Sequence, residues 1–258
     1  MSPLQESRAW FPFGLGREDA HTRLFCLPFA GGGASNFLSW RTRLEDAGVA
    51  VAPLQYPGHE TRLGEAPLHA WDDMLAALGE AIMPQLDRPY ALFGHSMGAR
   101  LASALAARLA NAGLPPVQLI VAAHVPPDLP SPALQAIGLD DDAFKALLLQ
   151  YGGIPAEMSH EPAFWEMVLP VMRADFALAA EPFDAVPGAY PITAYAGADD
   201  RHADAKSMAG WRRFTTADFV LREFSGDHFF LRSADVCAAL NTDLARVRSA
   251  DLHPLVSA

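Results

Sequence analysis

A serine hydroxyl attacks a carbonyl only when a neighbouring base takes its proton. The serine of this sequence best placed for that chemistry is Ser96, in Gly94-His95-Ser96-Met97-Gly98. An apolar run from Tyr90 to Phe93 precedes it, and an Ala/Leu-rich stretch from Met97 to Ala112 follows. That pattern predicts a buried strand, a sharp turn and a helix, with Ser96 on the turn. A side chain at either glycine would collide with neighbouring backbone in so tight a turn. As a bare string the motif turns up by chance in about one chain in fifteen of this length, so the strand before and the helix after carry the inference. The competing reading is a glycine-rich connection whose hydroxyl does nothing.

A base and an acid occur downstream in matching settings. Gly197-Ala198-Asp199-Asp200 follows a predicted strand at Ile192 to Ala196, and Gly226-Asp227-His228 follows another at Phe219 to Phe224. Ser96, Asp200 and His228 therefore run in the chain order nucleophile, acid, base that characterises α/β-hydrolases. In these roles His228 is the general base, and Asp200 fixes its tautomer and stabilises the imidazolium. Asp199 and Asp128 remain open as the acid. Oxyanion donors are expected from the Met97 amide and from the Phe29-Ala30-Gly31 loop, with Ala30 preferred. Phe29, His95 and Phe229 flank these segments and are candidate substrate contacts, although His95, inside the turn, is read first as a packing residue. No His-Glu-x-x-His pattern or clustered Cys/His spacing occurs, so no metal or other cofactor is expected.

The elements that must carry these residues alternate. Strands are predicted at Thr22 to Leu27, Val49 to Leu54 and Val117 to Ala123 in addition to those above, separated by helices such as Trp71 to Met83. This is the α/β class: a mostly parallel sheet covered by helices on both faces, in the α/β-hydrolase arrangement, with ligands at the carboxyl ends of the strands. Ser35 or Asn36 is expected to cap the helix after the first glycine loop. Residues 1–258 read as one domain. The alternation breaks after Ala123, where a proline-rich stretch leads into two helical blocks, Asp141 to Tyr151 and Glu161 to Ala180, before the sheet resumes. Residues 128–188 are read as a helical lid, because Phe144, Leu148, Trp165, Met172 and Phe176 are more apolar than two helices need for each other. A plain helical subdomain is the alternative. A helix is also predicted from Asp204 to Phe214.

The formal net charge of −11 argues against nucleic acid as a partner. Only two cysteines occur, Cys26 and Cys237, both in apolar segments, as suits free thiols in a reducing compartment; a single disulfide between them is the alternative. The first residues do not read as a signal peptide, and apolar runs are too short or too interrupted to span a bilayer. The expectation is a cytoplasmic monomer without membrane contact.

Taken together, Pro28-Phe29-Ala30-Gly31-Gly32, Tyr56-Pro57-Gly58, the Ser96 motif, the Gly197-to-Asp200 segment and His228-Phe229-Phe230-Leu231 resemble the type II thioesterases that accompany polyketide synthases and nonribosomal peptide synthetases. The resemblance runs from Leu24 to Leu231. His59 departs from it, since relatives usually carry arginine after Pro-Gly, whereas Arg62 fits their second arginine. What the resemblance implies is editing: hydrolysis of stalled or aberrant acyl groups from the 4'-phosphopantetheine arm of acyl or peptidyl carrier proteins, with transient docking. A carboxylesterase or lipase acting on free esters, an acyltransferase, and a non-catalytic carrier-binding module are the alternatives.

Overall fold

Alternate residues of a strand face opposite sides of its sheet, and the strands of this chain sort their side chains into two separate cores on that rule. The computed structural model describes residues 3–44 and 48–250. In chain order the elements are α1 (Pro3–Trp10), β1 (Thr22–Leu27), α2 (Leu38–Arg43), β2 (Val49–Pro53), α3 (Trp71–Ile82), β3 (Tyr90–His95), α4 (Met97–Asn111) and β4 (Gln118–Ala122). They continue with α5 (Asp141–Tyr151), α6 (Pro162–Ala180), β5 (Ile192–Gly197), α7 (Ala205–Met208), β6 (Phe219–Phe224) and α8 (Ala234–Ala250). Phe25 and Leu27 of β1, Leu92 of β3 and Val121 of β4 pack with α3, α4 and α6, whereas Leu24, Cys26, Phe93 and Ile120 pack with α2 and α8. Every strand is buried on both faces except β6 at the edge, which explains why the central strands read as unbroken apolar runs.

The sheet has six strands in the order β2-β1-β3-β4-β5-β6, and every adjacent pair is parallel. The chain steps outward from β1 to β2, then returns to lay β3 on the other side of β1, with Phe25 opposite Leu92. At this reversal the loops leaving β1 and β3 diverge and open a crevice above the sheet. The glycine loop after β1 and Ser96 after β3 stand on its two sides.

The segment between β4 and β5 holds α5 and α6, as read from the sequence, and α6 continues through Pro170. Asp140 caps α5 by accepting the Ala143 N–H, and Gly152 ends it in a left-handed conformation. Arg100 of α4 anchors the return to the sheet. Its guanidinium donates to the Glu181 carbonyl and sits 4.9 Å from the centre of the Phe183 ring.

Two local expectations are corrected. Neither Ser35 nor Asn36 caps α2: Ser35 donates its hydroxyl to Glu60, and Asn36 donates to the Gly33 carbonyl. The helix expected to Phe214 ends at Met208 and tightens into 3-10 turns over Ala209–Phe214, where Gly210 lowers helix propensity and Trp211 is pulled inward to donate to the His124 carbonyl. Ahead of β1 the chain forms the helix α1, with Trp10 and Phe11 buried in the core.

Candidate active site

Ser96 has φ +54° and ψ −119°, backbone angles that L-residues avoid, and the two flanking glycines explain how it is held there. A Cβ on Gly94 would lie inside the contact distance of the Gly98 carbonyl, and one on Gly98 inside that of the Leu27 and Pro28 carbonyls. The turn is thus wedged between its own helix and β1. The Ser96 N–H donates to Ala122 O at 2.8 Å, which ties the turn to β4. The side chain is left half-buried at the carboxyl edge of the sheet.

Asp200 and His228 come from the ends of β5 and β6, and backbone bonds lace their loops together: Ala198 N–H to Phe224 O at 2.8 Å and Asp199 N–H to Gly226 O at 2.9 Å. His228 Nε2 stands 3.0 Å from Ser96 Oγ, and His228 Nδ1 stands 2.9 Å from Asp200 Oδ2. The other carboxylate oxygen, Oδ1, accepts the His202 and Ala203 amides at 2.9 and 3.3 Å. Burial pushes the Asp200 carboxyl up, but the hydrogen bond and charge of His228 and the His202 amide outweigh it, so its pKa lies below the ordinary value. The other two candidate acids point elsewhere. Asp199 is exposed, and Asp128 accepts two bonds from Arg213 on the surface.

Of the remaining predicted residues, Phe29, Ala30 and Phe229 line the cavity that opens on Ser96. Met97 does not; its side chain is in the core, while its position as first residue of α4 leaves its N–H without an acceptor inside the helix. Within the glycine loop the Gly31 N–H is taken by Asp175 at 2.6 Å and the Gly32 N–H by Phe29 O at 2.8 Å. His95 is corrected as a substrate contact. It shares a strand face with Ala91 and Phe93, is fully buried, and its ring packs beneath Phe29, His228 and Phe230 at 5.3 to 5.7 Å instead of reaching the cavity. Neither of its ring nitrogens has a partner, and burial with the neighbouring His228 charge holds its pKa well below normal.

The cavity measures about 250 Å³. Its walls are apolar: Leu148 and Tyr151 from α5, Ile154 from the connection, and Phe164, Val168, Val171, Met172 and Phe176 from α6. Leu63 and Met167 line it while remaining exposed. A second chamber of about 20 Å³ lies behind Ser96, against His124, Tyr151, His202 and His228.

Sequence reasoning missed four residues around this centre. Tyr151, read only as the end of a lid helix, stacks on His202 with ring centres 4.0 Å apart and meets the His228 ring edge-on at 5.5 Å. His59 and Asp175 form a buried pair, 2.8 Å apart, that touches the glycine loop. A single acidic residue in the apolar run Ala174-Asp175-Phe176 was the available signal for it. Among the described residues no group of three or more His, Cys, Asp or Glu side chains could hold a metal ion, and no helix is long and apolar enough to cross a membrane.

Comparison with known proteins decides the family. The model of the family described as a thioesterase domain matches residues 22–244. This chain belongs to that family. It is 32% identical over 239 residues to the gramicidin S biosynthesis protein GrsT of Aneurinibacillus migulanus, covering 90% of this chain and 91% of that one. It is 34% identical to the thioesterase PikA5 of Streptomyces venezuelae over 235 residues, 88% of this chain and 83% of the relative. Among solved structures, RedJ, a thioesterase from the prodiginine biosynthetic pathway in Streptomyces coelicolor, superposes with a TM-score of 0.79 at 34% identity, covering 91% of this chain and 98% of that structure. The reaction class of the chain is thioester hydrolysis, and similar solved structures include type II thioesterases of the borrelidin biosynthetic cluster and of the yersiniabactin nonribosomal peptide/polyketide pathway.

Proposed function

We propose that this chain is a serine thioesterase that removes stalled or aberrant acyl groups from the 4'-phosphopantetheine arm of acyl or peptidyl carrier proteins. The observation that carries the reading is the line from Ser96 Oγ to His228 Nε2 at 3.0 Å and from His228 Nδ1 to Asp200 Oδ2 at 2.9 Å, at the foot of an apolar cavity. In this reading Ser96 Oγ attacks the thioester carbonyl as His228 Nε2 takes its proton. Asp200, fixed by the two amides on its other oxygen, holds the Nδ1–H tautomer and balances the imidazolium. The oxyanion is received by the amides of Met97 and Ala30. The neighbouring Gly31 and Gly32 amides already have acceptors, which favours Ala30 within its loop. Each such donor contributes about 2.7–4 kcal/mol to the transition state.

The leaving group is a thiolate with an ordinary pKa of about 8.5, so it departs with less help than an amine. His228 gives its proton to the leaving sulfur; in the second half-reaction it takes one from the incoming water, which attacks the Ser96 acyl ester, and returns it to Ser96 Oγ as the free acid leaves. The small chamber behind Ser96, about 20 Å³, has room for one water by the usual minimum of roughly 10–15 Å³. The helices α5 and α6 act as the lid that admits the arm. No cofactor beyond the substrate's own phosphopantetheine takes part. The chain works as a cytoplasmic monomer, docking transiently on its carriers.

Turnover of one acyl group presented on a carrier protein, on coenzyme A and as a p-nitrophenyl ester tests this, together with fluorophosphonate labelling of Ser96. Faster hydrolysis of the carrier-bound thioester is expected. Preference for the free ester would replace the substrate class, and folded protein that resists labelling would remove the reaction.

A further inference from the structure

The turn after β2 ends in Gly58-His59-Glu60, and His59 is buried with both ring nitrogens engaged. Nδ1 lies 2.9 Å from the Pro57 carbonyl oxygen and Nε2 lies 2.8 Å from Asp175 Oδ2. Both partners only accept. A neutral imidazole carries one N–H and would leave a lone pair facing an oxygen, so this geometry requires the imidazolium. Asp175 stands on α6, its side chain 1% exposed, and the same Oδ2 that meets His59 also accepts the Gly31 N–H at 2.6 Å. Its Oδ1 has no partner, so the carboxylate's charge is compensated by His59 and the Gly31 amide alone.

Gly31 directly follows Ala30. With Gly31 fixed to Asp175 and Gly32 bonded back to Phe29 O, the Phe29–Ala30 peptide is held from its carboxyl side. Farther along the loop, Glu60 takes the Ser35 hydroxyl and amide. Met172, one turn before Asp175 on α6, fills the space a side chain at position 31 would need. Thus α6 grips the glycine loop through the hydrogen bond from Gly31 to Asp175, whose charge His59 balances, and through one thioether.

We propose that His59 and Asp175 are positioning residues, a buried imidazolium–carboxylate pair through which α6 holds the Ala30–Gly31 loop in register with Ser96, and that loss of the His59 proton releases that hold. This rests on the reading of the Ala30 amide as an oxyanion donor. The groups facing His59 are Asp175 from α6 and, from its own loop, Glu60 and the buried Tyr56 phenol, whose ring lies 5.8 Å away; the glycine loop offers only backbone amides. Burial pushes the His59 pKa down, but the charge and hydrogen bond of Asp175, the Pro57 carbonyl and Glu60 more than reverse it, so the net shift is upward. A raised native pKa means the pair stabilises the closed arrangement fully below the ordinary histidine range and loses this as pH rises through the raised value. The consequence is an alkaline limb in the rate.

The test combines turnover and exchange. In wild type, kcat is expected to fall on the alkaline side with a single-proton slope while KM moves little, and the Gly31 amide to lose hydrogen-exchange protection through the same midpoint. Asp175→Asn removes the carboxylate, so the limb disappears and plateau kcat drops on the order of 10- to 100-fold. His59→Gln strands the carboxylate and lowers kcat similarly, whereas the double variant His59→Gln/Asp175→Asn recovers part of that loss because no charge is left uncompensated. An alkaline limb unmoved in Asp175→Asn, or a double variant as impaired as the product of the singles, overturns the proposal. Should the variants not fold, Gly31 protection in wild type still decides: protection independent of pH across the limb refutes the pair. Protection lost with pH in a protein that hydrolyses nothing would refute the reaction and leave the pair standing.

Discussion

At the scale of single residues, the aspartates distinguish a reactive cluster from a surface one. Asp200→Asn keeps the bonds to the His202 and Ala203 amides but removes the charge that orients His228, so kcat is expected to fall by about 10⁴-fold, as expected for the acid of such a triad, with Ser96→Ala and His228→Ala losing at least as much. Asp128→Asn breaks only an exposed pair with Arg213 and leaves the rate within about 2-fold. Steady-state kinetics on one carrier-bound acyl group checks all four, and a large loss in Asp128→Asn would reassign the acid. That Ser96, Asp200 and His228 converge was legible in the sequence because each sits in a local signature, a loop directly after a strand. Asp175 was not, since its partners lie 116 and 144 residues away and nothing in an apolar helix announces a hydrogen bond to a distant glycine. His95 misled for the opposite reason: adjacency to Ser96 suggested a shared role, but one step along a strand reverses the side chain's direction.

Among elements, α6 decides what the cavity accepts. Val171 lines the wall and is only partly buried, so Val171→Trp would fill space without cutting into the main core. Long acyl groups are then expected to lose about 10-fold or more in kcat/KM while acetyl is nearly unaffected, measured across an acyl series on one carrier protein. Equal loss for every chain length would mean the wall is not where the acyl group lies. The element pattern was largely readable because strand and helix periods differ so sharply; α5 and β6 begin and end at the residues expected, Asp141 to Tyr151 and Phe219 to Phe224. The misreadings cluster where tertiary contacts overrule local preference. Trp211 ends its helix early to reach a buried carbonyl, and Ser35 gives up a cap to bond Glu60 in the loop after β2.

For the molecule as a whole, the two-faced core sets stability and the charge sets encounter. Trp40 is fully buried beside Phe37 and Phe93, with ring centres 5.0 and 4.8 Å away, on the face opposite the cavity. Trp40→Ala is expected to cost about 3–5 kcal/mol in denaturant unfolding, leaving per-molecule turnover of the folded fraction unchanged. With a net charge of −11 the chain repels an acidic partner at long range, so raising ionic strength should lower KM for an acidic carrier protein, the reverse of the usual steering effect. A KM that climbs with salt would point to a local basic patch as the docking surface.

The backbone at Ser96 has a consequence beyond chemistry. Glycine adopts φ +54° and ψ −119° freely, while serine bears about 1–3 kcal/mol of strain there. Ser96→Gly, even after the unfolded chain's extra freedom returns roughly 0.5–1 kcal/mol, is therefore expected to melt later than wild type and to hydrolyse nothing. A lineage released from selection for turnover would drift toward that glycine, and its scaffold would outlive the reaction it was built around.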